Sequence, residues 1–154
     1  MNIRLATTQD AKAISELLIV LAEQYIVTMF TDEGRRNMLS SITPNAIEGF
    51  MCKGYRYHVG EIDNRIIAVV GTRDDSHLFH LFVNEQHHGN GYSSQLWSVA
   101  KTACVDSGKN PGFFTVNASL NAQDVYKHWG FIPIGGIREG GGVKDLPMRM
   151  ENAS

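Results

Sequence analysis

Three runs rich in β-branched and aromatic residues follow one another with almost no chain between them: Tyr55 to Ile62, Ile66 to Thr72 and His77 to Val83. Asp63-Asn64 and Asp74-Asp75-Ser76 separate them, and such short Asp/Asn/Ser stretches form turns. A parallel connection needs a crossover of roughly a dozen residues or more. Connections this short permit only hairpins. The centre of the chain therefore reads as an antiparallel meander of three strands.

The flanks carry a different period. Asn2 to Ala6 alternates as a short strand, with Ile3 and Leu5 apolar. Thr7-Thr8-Gln9-Asp10 offers hydroxyls and an acid to a helix start. Ala11, Ile14, Leu17, Leu18, Leu21, Ala22 and Tyr25 then recur at helical spacing. Thr31-Asp32-Glu33 opens a second helix through Leu39. Thr43-Pro44 opens a third, with proline at the first helical position, stopping near Gly54. Tyr25, Met29, Phe30, Phe50 and Met51 in this region fit either core packing or one wall of a substrate cleft. After the meander, Leu96, Val99, Ala100, Ala103 and Cys104 mark a helix ended by Gly108 and Pro111. Phe113 to Val116 reads as a strand, Ala122 to Trp129 as a helix closed by Gly130, and Phe131 to Ile134 as a strand. Five glycines between 135 and 142 predict a mobile loop before a last strand, Lys144 to Met150. No repeat or linker divides the chain, so residues 1–154 are expected to form one domain.

The totals narrow the function. With a formal net charge of −2, the chain lacks the basic footprint of a nucleic-acid binder. No apolar run approaches the ~18 residues of a membrane span, and the N-terminus lacks the apolar segment of a secretory signal. Cys52 and Cys104 belong to no metal-like cluster and fit free thiols in a reducing compartment. A cytoplasmic protein is expected. Of the six histidines, His87 and His88 are adjacent, and strand alternation puts His77 and His80 on opposite faces. No metal site is expected from these spacings.

The chemistry concentrates in LFVNEQHHGNGYSSQLW, residues 81–97. A strand ends, two glycines follow as G-x-G, and a helix begins near Gly91. The first turn of a helix presents unpaired N–H groups at the positive end of its dipole. Glycines remove the Cβ atoms that would keep a bulky anion from the backbone. Together these make a phosphate cradle, although G-x-G alone also serves ordinary turns. The nucleotide P-loop needs a lysine that is missing here. The dinucleotide fingerprint needs a third glycine, where this chain has Ser94, and a parallel βαβ unit.

The stretch resembles motif A of the GNAT superfamily, the acetyl-CoA-dependent N-acetyltransferases. That motif is a strand ending L-x-V, then [RQ]-x-x-G-x-[GA], then a helix with paired leucines. The register His88-Gly89-Asn90-Gly91-Tyr92-Ser93, with Leu96 and Trp97 as the pair, fits better than one starting at Gln86. It departs from the motif at His88 and Ser93. SLNAQDVYKHWGF, residues 119–131, resembles motif B through Ala122, Tyr126, Gly130 and Phe131, with Ser119 where asparagine is usual. RDDSHLFHLFV (73–83), TVNAS (115–119) and LPMRM (146–150) resemble a small bacterial branch of the superfamily.

This resemblance implies an α+β GNAT fold, with a mostly antiparallel, splayed central sheet and helices on both faces. It implies an N-acetyltransferase that moves the acetyl group of acetyl-CoA, its co-substrate, to a primary amine by direct attack in a ternary complex. Backbone N–H groups of Gly89, Asn90, Gly91, Tyr92, Ser93 and Ser94 would hold the pyrophosphate beside His88. Leu81, Phe82 and Val83 would pair with the pantetheine arm, and Ser119 would lie at the cofactor. Tyr126 would protonate the leaving thiolate, a phenol being neutral at working pH. His77 stands where some members carry a glutamate base, though it equally suits a turn-holding role. Glu61 and Glu85 are weaker alternatives. A small-molecule or peptide amine is the expected partner, and likeness to the family suggests a homodimer. Another acyl-CoA donor, a protein N-terminal acceptor, or a non-catalytic CoA-sensing module are the alternative readings. Acceptor choice would lie in residues 25–57 and 135–142, where Asp32, Glu33 and Glu48 could attract a cation or simply form a solvated face.

Overall fold

The computed structural model describes residues 1–23, 31–120, 122–140 and 143–152. Tyr25, Met29 and Phe30 lie outside them. The elements run β1 (Asn2–Leu5), α1 (Ala11–Leu21), α2 (Asp32–Ser40), α3 (Pro44–Cys52), β2 (Arg56–Ile62), β3 (Arg65–Arg73), β4 (His77–Val83), α4 (Tyr92–Asp106), β5 (Phe113–Ser119), α5 (Gln123–His128), β6 (Ile132–Pro133), β7 (Arg138–Gly140) and β8 (Val143–Glu151). Helices α2 and α3 start where hydroxyl caps predict. The Thr31 and Thr43 side chains accept from the N–H groups of Gly34 and Ala46. The loop expected at 135–142 is instead partly strand. Residues 138–140 fold back on 143–145, because Arg138 and Asp145 face each other in register and join at 2.9 Å.

The sheet runs β1-β2-β3-β4-β5-β8-β6, with β7 also paired to β8. The meander β2-β3-β4 is antiparallel throughout. Strands β4 and β5 are the exception. They are parallel and pair only at His77 with Thr115 and Leu78 with Val116. Beyond that point the strands part.

Each face of the sheet carries its own apolar cluster. On one, Leu96, Trp97, Ala100 and Cys104 of α4 and Tyr126 of α5 pack on Val70, Leu78, Phe114, Val116 and Met148. On the other, Ile14, Leu18 and Leu21 of α1 and Ile47 of α3 pack on Tyr57, Val59 and Val69. Each fully buried aliphatic side chain contributes roughly 1.5–3 kcal/mol. The two clusters clamp the sheet on both sides of the β4–β5 parting.

One irregularity re-aims β4. Gly71 pairs with His80 and Thr72 with Leu78, so Phe79 is an extra residue in β4. Such a bulge reverses the side-chain alternation beyond it. Leu78 points into the α4 cluster, while Phe82 packs on the α1–α3 cluster. His77 and His80 therefore share a face, contrary to plain alternation. His77 bonds Thr115, whose neighbours Phe114 and Val116 point to the α4 side, and His80 bonds Tyr57 of the α1–α3 cluster.

Candidate active site

The parting of β4 from β5 opens a cleft of 760 Å³. The exposed strand edges contribute Leu81, Phe82 and Val83 on one side and Val116, Asn117 and Ser119 on the other. Beyond Leu78, β4 has no partner strand on its β5 side among the described residues. Its backbone groups there are open to a ligand, as at any unpaired sheet edge.

At one end of the cleft stands the N-terminus of α4. Gly89 and Gly91 have φ of +82° and +73°, a region that L side chains rarely adopt. A Cβ at either position would meet no protein atom within 4 Å, so it would project into the open cradle. Gly91 is the N-cap and supplies no side-chain cap. The N–H groups of the first helical turn thus remain without an acceptor among the described residues. Such a helix start favours an anion through its free N–H groups and its dipole.

The predicted cofactor residues divide. His88, Gly89, Gly91, Tyr92 and Ser93 line the cleft; Asn90 and Ser94 do not. The Asn90 side chain turns back and donates to the carbonyl of His87 at 3.1 Å, holding the loop's shape. His88 donates from Nε2 to the carbonyl of Val83 at 2.8 Å. The ring that replaces the motif's arginine or glutamine ties the loop to the end of β4.

Tyr126 lines the opposite side of the cleft from α5. It is buried against Trp129 and Phe131, and desolvation pushes its hydroxyl up to about 12. It holds its proton at neutral pH, and its hydroxyl has no hydrogen-bond partner among the described residues. His77 sits where the strands part. Its Nδ1 lies 2.7 Å from Thr115 Oγ1, so it pins β4 to β5 rather than holding the preceding turn. Burial pushes His77 down to about 4, which keeps it neutral but weakens it as a base. Glu61 is paired with Arg4 at 2.6 Å, and neither it nor Glu85 lines the cleft.

The far end is walled by residues that spacing could not reveal: Leu21, Met38, Ser41, Phe79 and His80. Phe50 stands behind them, its ring 5.0 Å from that of Phe79. Asp32, Glu33 and Glu48 are exposed and do not line the cleft, so they form a solvated face. Among the described residues, Asp145 is the one carboxylate at the cleft, and it is paired with Arg138. Among the described residues, no group of three or more His, Cys, Asp or Glu side chains could hold a metal, and no helix is long and apolar enough to cross a membrane.

No curated protein sequence matches the chain significantly. Solved structures do. A GCN5-related N-acetyltransferase from Rhodopseudomonas palustris aligns with a TM-score of 0.82 at 14% identity, covering 97% of this chain and 94% of that one. The PaiA N-acetyltransferase from Thermoplasma acidophilum, solved in complex with coenzyme A, aligns at 0.78 and 11% identity over 98% and 99%. An aminoglycoside 6'-acetyltransferase type Ii aligns at 0.70 and 13% identity over 100% and 99%. At these identities the likeness is one of fold. The acetyltransferase (GNAT) domain family matches residues 26–152. With an α+β fold whose sheet parts beside an open helix N-terminus, the chain belongs to the GNAT acetyltransferase family.

Proposed function

We propose that the protein transfers the acetyl group of acetyl-CoA to a primary amine by direct attack within a ternary complex. One observation carries this reading. The uncapped, glycine-lined start of α4 stands at one end of the β4–β5 parting, and the protonated Tyr126 stands across it. A pyrophosphate fits the cradle, and an extended pantetheine arm fits the unpaired edge of Leu81 to Val83. Bound there, acetyl-CoA supplies an activated thioester.

The chain's own residues then do three things. The N–H groups between Gly89 and Ser94 hold negative charge. The edge of β4 aligns the arm, and a backbone N–H near Val83 polarises the carbonyl under attack. Tyr126 keeps a proton ready for the departing sulfur. His77, neutral and pinned by Thr115, lines the cleft and is the candidate proton acceptor for the attacking amine. Its low pKa shifts the balance of the rate toward positioning. Ser119 lines the cleft from the β5 edge, where it would face the arm.

Calorimetric titration with acetyl-CoA, with free CoA and ATP for comparison, tests the reading. Saturable one-site binding with ATP silent is expected. A folded protein that ignores acetyl-CoA would refute it. Tyr126→Phe separates a transferase from a CoA-sensing module, since only a transferase has turnover to lose. A longer acyl donor or a peptide N-terminus keeps the same chemistry and is resolved by donor and acceptor screens.

A further inference from the structure

Three neighbouring strands carry Tyr57, Gly71 and His80 in one row, Tyr57 paired with Gly71 and Gly71 with His80. The Tyr57 ring lies across Gly71, where a Cβ would come within 2.5 Å of Cε1. Over that gap the Tyr57 hydroxyl reaches His80 Nδ1 at 3.0 Å. Tyr57 is 1% exposed, and this is its hydroxyl's one hydrogen bond among the described residues. A buried hydroxyl proton must be donated or left unsatisfied. Tyr57 therefore donates to Nδ1, and the neutral imidazole carries its single proton on Nε2. Burial, which pushes His80 down to about 4, keeps it in that neutral form.

Nε2 has no hydrogen-bond partner among the described residues, and His80 is 7% exposed. His80 lines the cleft, and Nε2 is the ring nitrogen that Tyr57 leaves free for a ligand. Around the His80 ring stand Phe79 and Phe82, with ring centroids 4.2 and 6.1 Å from its own, and the same wall holds Leu21 and Met38. We propose that His80 is a hydrogen-bond donor that selects the acceptor: an amine bearing an oxygen acceptor such as a carbonyl, on an aromatic or aliphatic body. A polycation would find no unpaired carboxylate among the described cleft residues, since Asp145 is held by Arg138. This inference rests on the amine-transfer reading above.

Two measurements test it. Long-range proton–nitrogen NMR on the intact protein, with the His80 signal identified from His80→Asn, reads the tautomer directly. Protonation at Nε2 is expected, with Tyr57→Phe giving a mixture of tautomers. Protonation at Nδ1 in the unmodified protein would overturn the proposal. The second compares two probe amines on the CoA-loaded protein, phenylalaninamide and phenethylamine, which differ by a carboxamide. A preference of roughly tenfold for the amide is expected. It should fall to about twofold or less in His80→Phe, with acetyl-CoA affinity unchanged. Equal binding of the two amines, binding of neither, or a preference that survives in His80→Phe would overturn the proposal. Failure of acetyl-CoA to bind would instead remove the transfer reading and the acceptor role with it, while the nitrogen spectrum still reports the tautomer.

Discussion

The two ends of the cleft are built from different materials. At the α4 end the working groups are backbone N–H groups, and side chains contribute mostly by being absent, as at Gly89 and Gly91. At the opposite end the working groups are side chains held by other side chains: Phe50 behind Phe79, and Tyr57 across Gly71 to His80. A backbone site suits a moiety that is the same in every reaction. A side-chain site suits the partner that differs from one enzyme to the next, because substitutions there leave the frame intact. Tyr126 stands across from the cradle and serves the chemistry between the two.

Breaking the chemistry should cost most. Tyr126→Phe is expected to lower kcat roughly 100-fold, within the usual range for a lost general acid, with acetyl-CoA affinity unchanged by calorimetry. A drop in affinity as large as the drop in kcat would make Tyr126 a cofactor-binding residue instead.

Gly91→Val should strike the backbone end alone. A β-branched residue at φ +73° carries strain of about 2 kcal/mol and places methyl groups in the cradle. The strain should appear as lost stability, and acetyl-CoA affinity should fall roughly 10-fold or more because the methyl groups occupy the pyrophosphate's place. Amine discrimination should survive.

Gly71→Ala should do the opposite. Its methyl would displace the Tyr57 ring, an overpacking cost of about 2 kcal/mol, lowering Tm by ~4–8 °C for a chain of this size. Acetyl-CoA affinity should hold while the preference between the two probe amines disappears.

Acid should weaken the side-chain end first. His77 and His80 are both pushed down to about 4 by burial, while an unfolded histidine titrates near 6.5. Between those values the unfolded chain binds more protons, so stability is full above about pH 6.5 and falls as pH drops toward 4. Each histidine should account for on the order of 1–2 kcal/mol at pH 5, measurable by urea unfolding against pH. His80→Phe should flatten that slope.

The smallest effect belongs to the surface. Arg138→Ala breaks a largely exposed pair with Asp145 and should cost under about 1 kcal/mol. By freeing Asp145 at the cleft, it should modestly improve binding of a dicationic amine relative to a monoamine.

The same contrast explains what could be read in advance. The meander, the start of α4 and the open Gly89 and Gly91 depend on local features: turn residues, glycine spacing, hydrophobic period. Each involves residues close in sequence, so the chain displays them directly. The role sketched for Tyr126 is instead implied by the resemblance to motif B. The bulge at Phe79 has no such mark, because HLFHLFV alternates equally well with or without it, and so His77 and His80 were expected on opposite faces. The glycines at 135–142 signal freedom but not the Arg138–Asp145 contact that makes strand of part of the segment.

What the sequence alone determined, then, is the frame: an antiparallel meander, a glycine-lined helix start, and a likeness in two motifs that implies acetyl-CoA. Short-range sterics and hydrogen bonding set the first two, and the likeness alone carries the third. The tertiary structure alone decided which side chains meet. Tyr57 and His80 are 23 residues apart and become partners only because Gly71 lets a ring cross the strand between them. Leu21, Met38 and Phe79 share a wall only because α1 and α2 pack against the face that the bulge turns toward them. Burial, which sets the charge of both histidines, exists only once that packing is complete.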